Sequence, residues 1–206
     1  MAKVASSSVR LRERGRPREF DMDTALDRAA RVFRERGYHA SSIADLTAAM
    51  GLASGSVYKA FKDKRGIFLA AFEHERRRDR HQLDAVLDAA TSGRERVRVT
   101  LAFYAGLSSG AEGRRGCMVV GGATELSTLE SSLAQHVVAV LRAKERLIAD
   151  LICQGQADGS ISSAVDSAAT ARLMLCLLHG MRVAGKTGRS RKEMMEVIDT
   201  AMNLLS

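Results

Sequence analysis

Apolar residues recur at helical spacing along most of the chain, and no alternating run is long enough to predict a strand. Leu26, Ala29, Ala30 and Phe33 form the first stripe and predict a helix over 23–36. Asp21 and Asp23 are candidate caps at its start, and Gly37 suits a left-handed end. Ser42-Ile43-Ala44-Asp45 is a Ser-x-x-Asp start signal for a short second helix that stops at Gly51. Ser54 opens a third short helix through Phe61, and Asp63 is placed to cap a long fourth helix from about Lys64.

Farther along, breaks at 91–93, 108–116, 157–160 and 185–190 leave helices near 66–90, 95–107, 117–129, 131–156, 166–184 and 191–205. A single Pro in 206 residues agrees with so much helix. No apolar run approaches the roughly 20 residues that span a bilayer, so no membrane partner is expected. The N-terminus is polar and basic, without a signal core. Cys117, Cys153 and Cys176 are odd in number and far apart, which argues against a disulfide framework and for a cytoplasmic protein.

Charge changes the picture more than composition does. The net charge is +8, and residues 1–66 hold 14 Lys/Arg against 8 Asp/Glu, leaving most of the surplus in the first third. That distribution favours a polyanionic partner there, although a solvated charged surface fits it as well.

The second and third helices meet at Met50-Gly51-Leu52-Ala53, a tight Gly-containing turn of the kind that sets a helix into the major groove. Ile43, Leu46, Ala49, Leu52, Val57 and Phe61 would hold the pair against Leu26 and Phe33. The outward positions of the third helix are then Ser54, Gly55, Ser56 and Lys59. Small residues permit close approach, and hydroxyls and an ammonium reach base edges. The competing reading is an anonymous three-helix domain with polar surface serines.

Gly15 to about Phe72 resembles the TetR family of regulators. The resemblance rests on Ala29-Ala30-Arg31-Val32-Phe33, Gly37-Tyr38, Ile43-Ala44-Asp45-Leu46, Gly51-Leu52-Ala53-Ser54-Gly55-Ser56-Val57-Tyr58, Phe61 and Lys64. It implies an all-α fold: a three-helix helix-turn-helix domain followed by a helical ligand-binding and dimerisation domain. The expected division is a flexible basic arm at 1–19, a DNA-binding domain at 20–66 and an effector and dimerisation domain at 67–206. By resemblance Ser42 to Phe61 is the helix-turn-helix, Tyr58 and Lys64 touch phosphate, and Ser54, Gly55, Ser56 and Lys59 face bases. Ala60 departs from the family, which often places His or Tyr there.

Ahead of the helices stands Arg14-Gly15-Arg16-Pro17-Arg18, similar to an AT-hook core. Arg14, Arg16 and Arg18 on an extended peptide suit a narrow minor groove. A solubilising tail is the equal alternative.

Toward the C-terminus, Leu173, Leu177, Gly180 and Ala184 form one stripe, and Met194, Val197, Ile198, Ala201, Leu204 and Leu205 another. Periodicity alone fits an intramolecular core as well as a dimer. The family resemblance implies a homodimer through the last two long helices. Phe72, Phe103, Tyr104, Leu107, Met118 and Val140 are candidates to line an effector cavity, though such stripes are more often plain core.

Arg114-Arg115-Gly116-Cys117-Met118 resembles a Gly-Cys turn found in electrophile- and oxidant-responsive members of the family. A Cys at a helix start beside two Arg is expected to have a lowered thiol pKa, making Cys117 a candidate thiol sensor; a small packing residue is the favoured alternative. His74 and His81 lie too far apart for joint ligation and read as surface residues, so no metal or cofactor is expected. No phosphate loop or nucleophile elbow marks an enzyme. The leading expectation is a repressor on double-stranded, palindromic operator DNA, released by a small molecule or electrophile. A non-specific architectural DNA binder is the alternative of another class.

Overall fold

In a computed structural model, the described residues, 19–125 and 127–206, form ten α-helices and no strand. The Arg14, Arg16 and Arg18 arm lies outside them. Helix α1 (Glu19–Arg36) begins earlier than its stripe predicts, so Asp21 and Asp23 fall inside the helix and are not its caps. A hydrophobic stripe reports where a helix is buried, not where it begins.

Helix α2 (Ile43–Met50) starts with a reciprocal cap. The Asp45 N–H donates to Ser42 Oγ at 3.0 Å, and the Ser42 N–H donates to Asp45 Oδ2 at 3.2 Å. Helix α3 (Ser54–Phe61) follows, and α4 (Lys64–Asp88) is capped by Asp63, whose Oδ1 accepts from the Gly66 N–H at 2.7 Å. Gly66 is required there: a Cβ would lie 1.9 Å from the Phe61 carbonyl oxygen. That close approach seats α3 on the start of α4.

Beyond α5 (Gly93–Leu107) the structure departs from the expected breaks. Residues 108–116 contain a short helix, α6 (Gly110–Arg115), and the helix expected over 117–129 is only α7 (Met118–Thr124). Two reasons are visible. Gly121-Gly122 propagates a helix poorly, and Glu125 is drawn away to the loop after α1, where its Oε2 accepts from the Tyr38 N–H at 3.0 Å. Helices α8 (Ser131–Ala157), α9 (Ser167–Ala184) and α10 (Arg191–Ala201) follow, and residues 202–205 tighten into a 3₁₀ turn.

Two apolar clusters hold these helices. The first joins Phe33 of α1 and Phe68 and Phe72 of α4 to Met118 of α7 and Leu133, Val137 and Val140 of α8. It therefore runs without interruption across residue 66. The second gathers Leu83, Leu101, Ile152, Met174, Leu178 and Ile198 farther from α2 and α3. A fully buried side chain of this size contributes about 1.5–3 kcal/mol, so the first cluster couples the three N-terminal helices firmly to α7 and α8.

Candidate nucleic-acid interface and effector cavity

Leu46, Met50 and Val57 are buried and anchor α2 and α3 in the first cluster. Helical geometry then turns the rest of α3 outward. Ser54, Gly55, Ser56 and Lys59 are exposed, Tyr58 is 52% exposed, and Gly55 leaves open space where a side chain would stand. Ala60, the departure from the family pattern, is exposed beside them. One short helix thus offers hydroxyls, a phenol and an ammonium on a face narrow enough for a groove.

Two candidates beside this face are already engaged. The Ser42 hydroxyl donates to Asp45 Oδ2 at 2.7 Å within the capping box. Those Ser42 bonds, followed by Arg36 at 2.9 Å, hold the Asp45 carboxyl below the usual carboxylate range. Lys64 is half-buried, with its Nζ donating to the Tyr38 carbonyl at 3.1 Å and standing 4.5 Å from the centre of the Tyr38 ring.

A cavity lies among α4, α5, α7, α8 and α9. Phe72, Tyr104, Leu107, Met118 and Val140 line it, as expected. Phe103 does not. It packs edge-on against the neighbouring Tyr104 ring, centroids 5.3 Å apart, within the second cluster.

The polar lining was not anticipated. Glu75, Asp79, Lys144, His179 and Arg182 all face the cavity. Glu75 continues the apolar stripe of Phe68 and Phe72, and Arg182 that of Leu175 and Leu178. A charge at a stripe position was the available signal, because a buried charge persists only where something compensates it.

The compensation converges on Gly116. Its carbonyl accepts from Arg34 Nε at 3.0 Å and from Arg182 Nη2 at 2.9 Å. Arg34 also bonds the Glu112 carboxylate at 2.8 Å and stands 3.9 Å from Glu75 Oε2. Burial pushes the Glu75 carboxyl up, with Arg34 pulling the other way. For Arg34, burial works downward, but Glu75 and Glu112 outweigh it and leave the guanidinium raised. Gly116 has φ +86°, and a Cβ there would come within 3.0 Å of the Arg34 carbonyl oxygen. One arginine of α1 is thereby tied to the turn that leads into the cavity wall.

Cys117 occupies that wall, half-buried, as the residue before α7, and its side chain makes no capping bond. Its expected arginine neighbours are otherwise employed: Arg115 pairs with Glu112, and Arg114 is exposed. Arg34 and Arg182 take their place at the turn. Cys153 and Cys176 are the more exposed thiols. His74 is not a surface residue either; its side chain is 12% exposed and its Nε2 lies 3.2 Å from Asp27 Oδ1, joining α4 to α1.

The two C-terminal stripes divide. On α9, Leu173 (54% exposed) and Gly180 face outward and Leu177 is half-buried. On α10 and the following turn, Val197 and Leu204 face outward, whereas Met194, Ile198 and Leu205 belong to the second cluster, and Ala201 is buried in its own protomer. Val183 extends the exposed apolar face of α9. Among the described residues no helix is long and apolar enough to cross a membrane.

Comparison with known proteins agrees with this architecture. Residues 25–71 match the family model of bacterial regulatory proteins of the tetR family, and residues 93–201 match a tetracyclin repressor-like C-terminal domain. The chain is 29% identical over 199 residues to the HTH-type transcriptional repressor ComR of Escherichia coli strain K12, covering 94% of this chain and 92% of ComR. A cysteine mutant of the TetR family transcriptional regulator CifR, solved with 26-base-pair operator DNA, superposes with a TM-score of 0.80. It is 32% identical and covers 93% of this chain and all of its own. A regulator from Cytophaga hutchinsonii, at 21% identity and a TM-score of 0.76, covering 90% of this chain and 92% of its own, shares the fold. Helix-turn-helix, cavity and family models together place this chain in the TetR family of bacterial transcription regulators.

Proposed function

We propose that the chain is a cytoplasmic repressor that binds a palindromic operator as a homodimer, one α3 in each half-site, and lets go when a small molecule occupies the cavity. The observation that carries this reading is the Arg34 tie. α1 packs with α2 and α3, and its Arg34 bonds the carbonyl of Gly116, which directly precedes the cavity-lining Cys117 and Met118. A ligand that displaces this wall tilts α1, and with it the spacing of two recognition helices that must match half-sites about 34–36 Å apart. It acts only by binding the released form better. The operator complex of CifR and the repressor ComR support the same assignment.

The outward faces of α9 and α10 supply the dimer seam, through Leu173, Leu177, Gly180, Val197 and Leu204. Arg14, Arg16 and Arg18 reach an adjacent minor groove. The reading calls for no cofactor and no catalysed reaction. A second trigger rests on Cys117: oxidation or alkylation of its thiol would enlarge a side chain already in the cavity wall.

Footprinting on the DNA flanking the chain's own gene, with and without mild oxidant, tests operator binding and release. Selection from a random DNA pool tests the reading face. Ser56→Ala and Lys59→Ala should each change the preferred site, at roughly 1–3 kcal/mol per lost base contact. An unchanged preference in both variants contradicts the assignment of α3. Release by oxidant that persists in Cys117→Ser removes the thiol trigger and leaves the cavity ligand.

A further inference from the structure

The cavity is apolar within and cationic where it opens. Phe72, Met118, Val140 and Leu178 are buried in its wall. Of its lining residues only Arg76, Arg80 and Ala143 are exposed, so the mouth lies between α4 and α8. Lys144, next to Ala143, is half-buried, and its Nζ stands 4.4 Å from the centre of the Tyr104 ring, itself part of the wall. The ammonium is thereby held against the wall beside the mouth.

The partners of the charged lining groups decide which sign of charge is left over. The two carboxyls are met from outside the cavity. Arg34 stands 3.9 Å from Glu75 and Arg78 3.5 Å from Asp79, and both arginines line the neighbouring groove between α1, α4 and α6. Arg76 and Arg80 pair along α4, with Glu73 at 3.1 Å and Asp84 at 2.7 Å. Arg182 and Lys144 differ, because their partners are uncharged. Arg182 donates to the Leu107 and Gly116 carbonyls. Lys144 has the Tyr104 ring, and the carboxylate beside it on α8, Glu145, is turned to Arg172 at 3.3 Å. Among the described residues no carboxylate pairs with either cation. His179, in the same wall, registers the surplus: burial, and then Lys144 and Arg182, lower its pKa to about 4. Cations in a partly dry wall with neutral partners alone are stabilised by an anion brought to them, and such charge-assisted contacts are stronger than neutral ones.

We infer that the cavity takes a small organic carboxylate with an apolar tail, its head paired with Lys144 beside the mouth and its tail against Phe72, Met118 and Val140. The inference rests on the repressor reading for its purpose, and it names the effector class. Arg76 and Arg80 at the mouth favour the approach of an anion. Met118 opens α7, directly after the turn that Arg34 holds, so the tail touches the wall that is tied to α1.

The test is an NMR titration of the full-length protein at neutral pH with three probes of one tail length: octanoate, octanol and octylamine. Octanoate should bind the wild type about tenfold more tightly than octanol, and octylamine most weakly. Lys144→Gln, which keeps the stem and removes the charge, should bring octanoate down to the level of octanol and leave octanol unchanged. Lys144→Arg, which keeps the charge, should keep the preference. The proposal is overturned if octanol or octylamine binds the wild type as tightly as octanoate, or if no probe binds, and this comparison stands whether or not the variants fold. It is equally overturned if Lys144→Gln keeps the preference or Lys144→Arg loses it. Operator DNA is measured separately. A wild type that holds operator but does not prefer octanoate sinks this ligand class alone, and one that prefers octanoate but holds no operator sinks the repressor reading alone.

Discussion

Helices α3 and α7 have eight and seven residues, and each is entered from a residue whose side chain makes no capping bond. There the likeness stops. α3 buries one side chain, Val57, and turns nearly everything else to solvent. α7 buries Met118, Val119 and Gly122, and the turn before it is held by arginines from α1 and α9, 82 and 66 residues away in the chain. A surface that reads a partner needs only a firm anchor beneath it and small polar groups above. A junction that passes a signal must gather groups from elements that otherwise never meet.

The difference is sharpest at Arg34. Arg34→Met keeps an apolar stem but strands the buried Glu75 and removes one of the two donors to the Gly116 carbonyl. Removing one partner of a buried charge cluster costs about 3–5 kcal/mol. Calorimetry should show a fall in Tm of roughly 10 °C. A fall of only a degree or two would mean the junction is as dispensable as an exposed helix face.

Leu173 probes the surface side. It is 54% exposed in the protomer, so Leu173→Glu leaves the isolated fold almost untouched. At a dimer seam the same carboxylate is buried without a partner and costs several kcal/mol of association. Sedimentation at micromolar concentration should show folded monomers. A folded variant that remains dimeric would move the interface off α9.

His179 returns to the junction side. Its folded pKa of about 4 lies below the ordinary value of 6.5, so the folded state resists protonation. Stability is therefore unaffected above pH 6.5 and is lost as pH falls from 6.5 toward 4. After discounting for solvent that still reaches the ring, the loss is roughly 2 kcal/mol. Glu75, raised by burial, works in the opposite direction, so the contrast with His179→Gln carries the prediction. Melting temperatures between pH 7 and pH 4.5 should drop less in the variant, and parallel curves would contradict it.

The smallest effect falls at Lys64. Its Nζ bonds the Tyr38 carbonyl, and a phosphate contact would add charge recognition without base information. Lys64→Ala should weaken operator and random DNA alike, by about 1 kcal/mol, and reduce the salt slope by about one unit. A loss confined to operator DNA would place Lys64 among the base-reading groups.

What was legible in the sequence follows the same division. The Ser42 capping box, the stop at Gly51, the Asp63 cap and the outward set Ser54, Gly55, Ser56 and Lys59 all depend on neighbours within four or five residues. Of six apolar helix positions offered for the cavity wall, five line it. Phe103 was not separable from Tyr104, because a stripe has width and only packing decides which edge faces the space. Ala201 fell on the inner side of its helix for the same reason.

The chain by itself determined all-helical character in outline, the helix-turn-helix and the face of α3, since propensity, capping and amphipathic spacing act over one or two turns. Only the tertiary structure decided that Arg34, Glu75, Glu112 and Arg182 meet at Gly116, and that Arg34 and Arg182 displace Arg114 and Arg115 from the Cys117 turn. Taken alone, Arg34 and Glu112 read as solvated charges, and Glu75 and Arg182 as charges on an apolar stripe with no partner named. Their meeting depends on how α1, α4, α6 and α9 cross, and crossing is set by packing over the whole molecule, because a buried charge finds its partner in space and not along the chain.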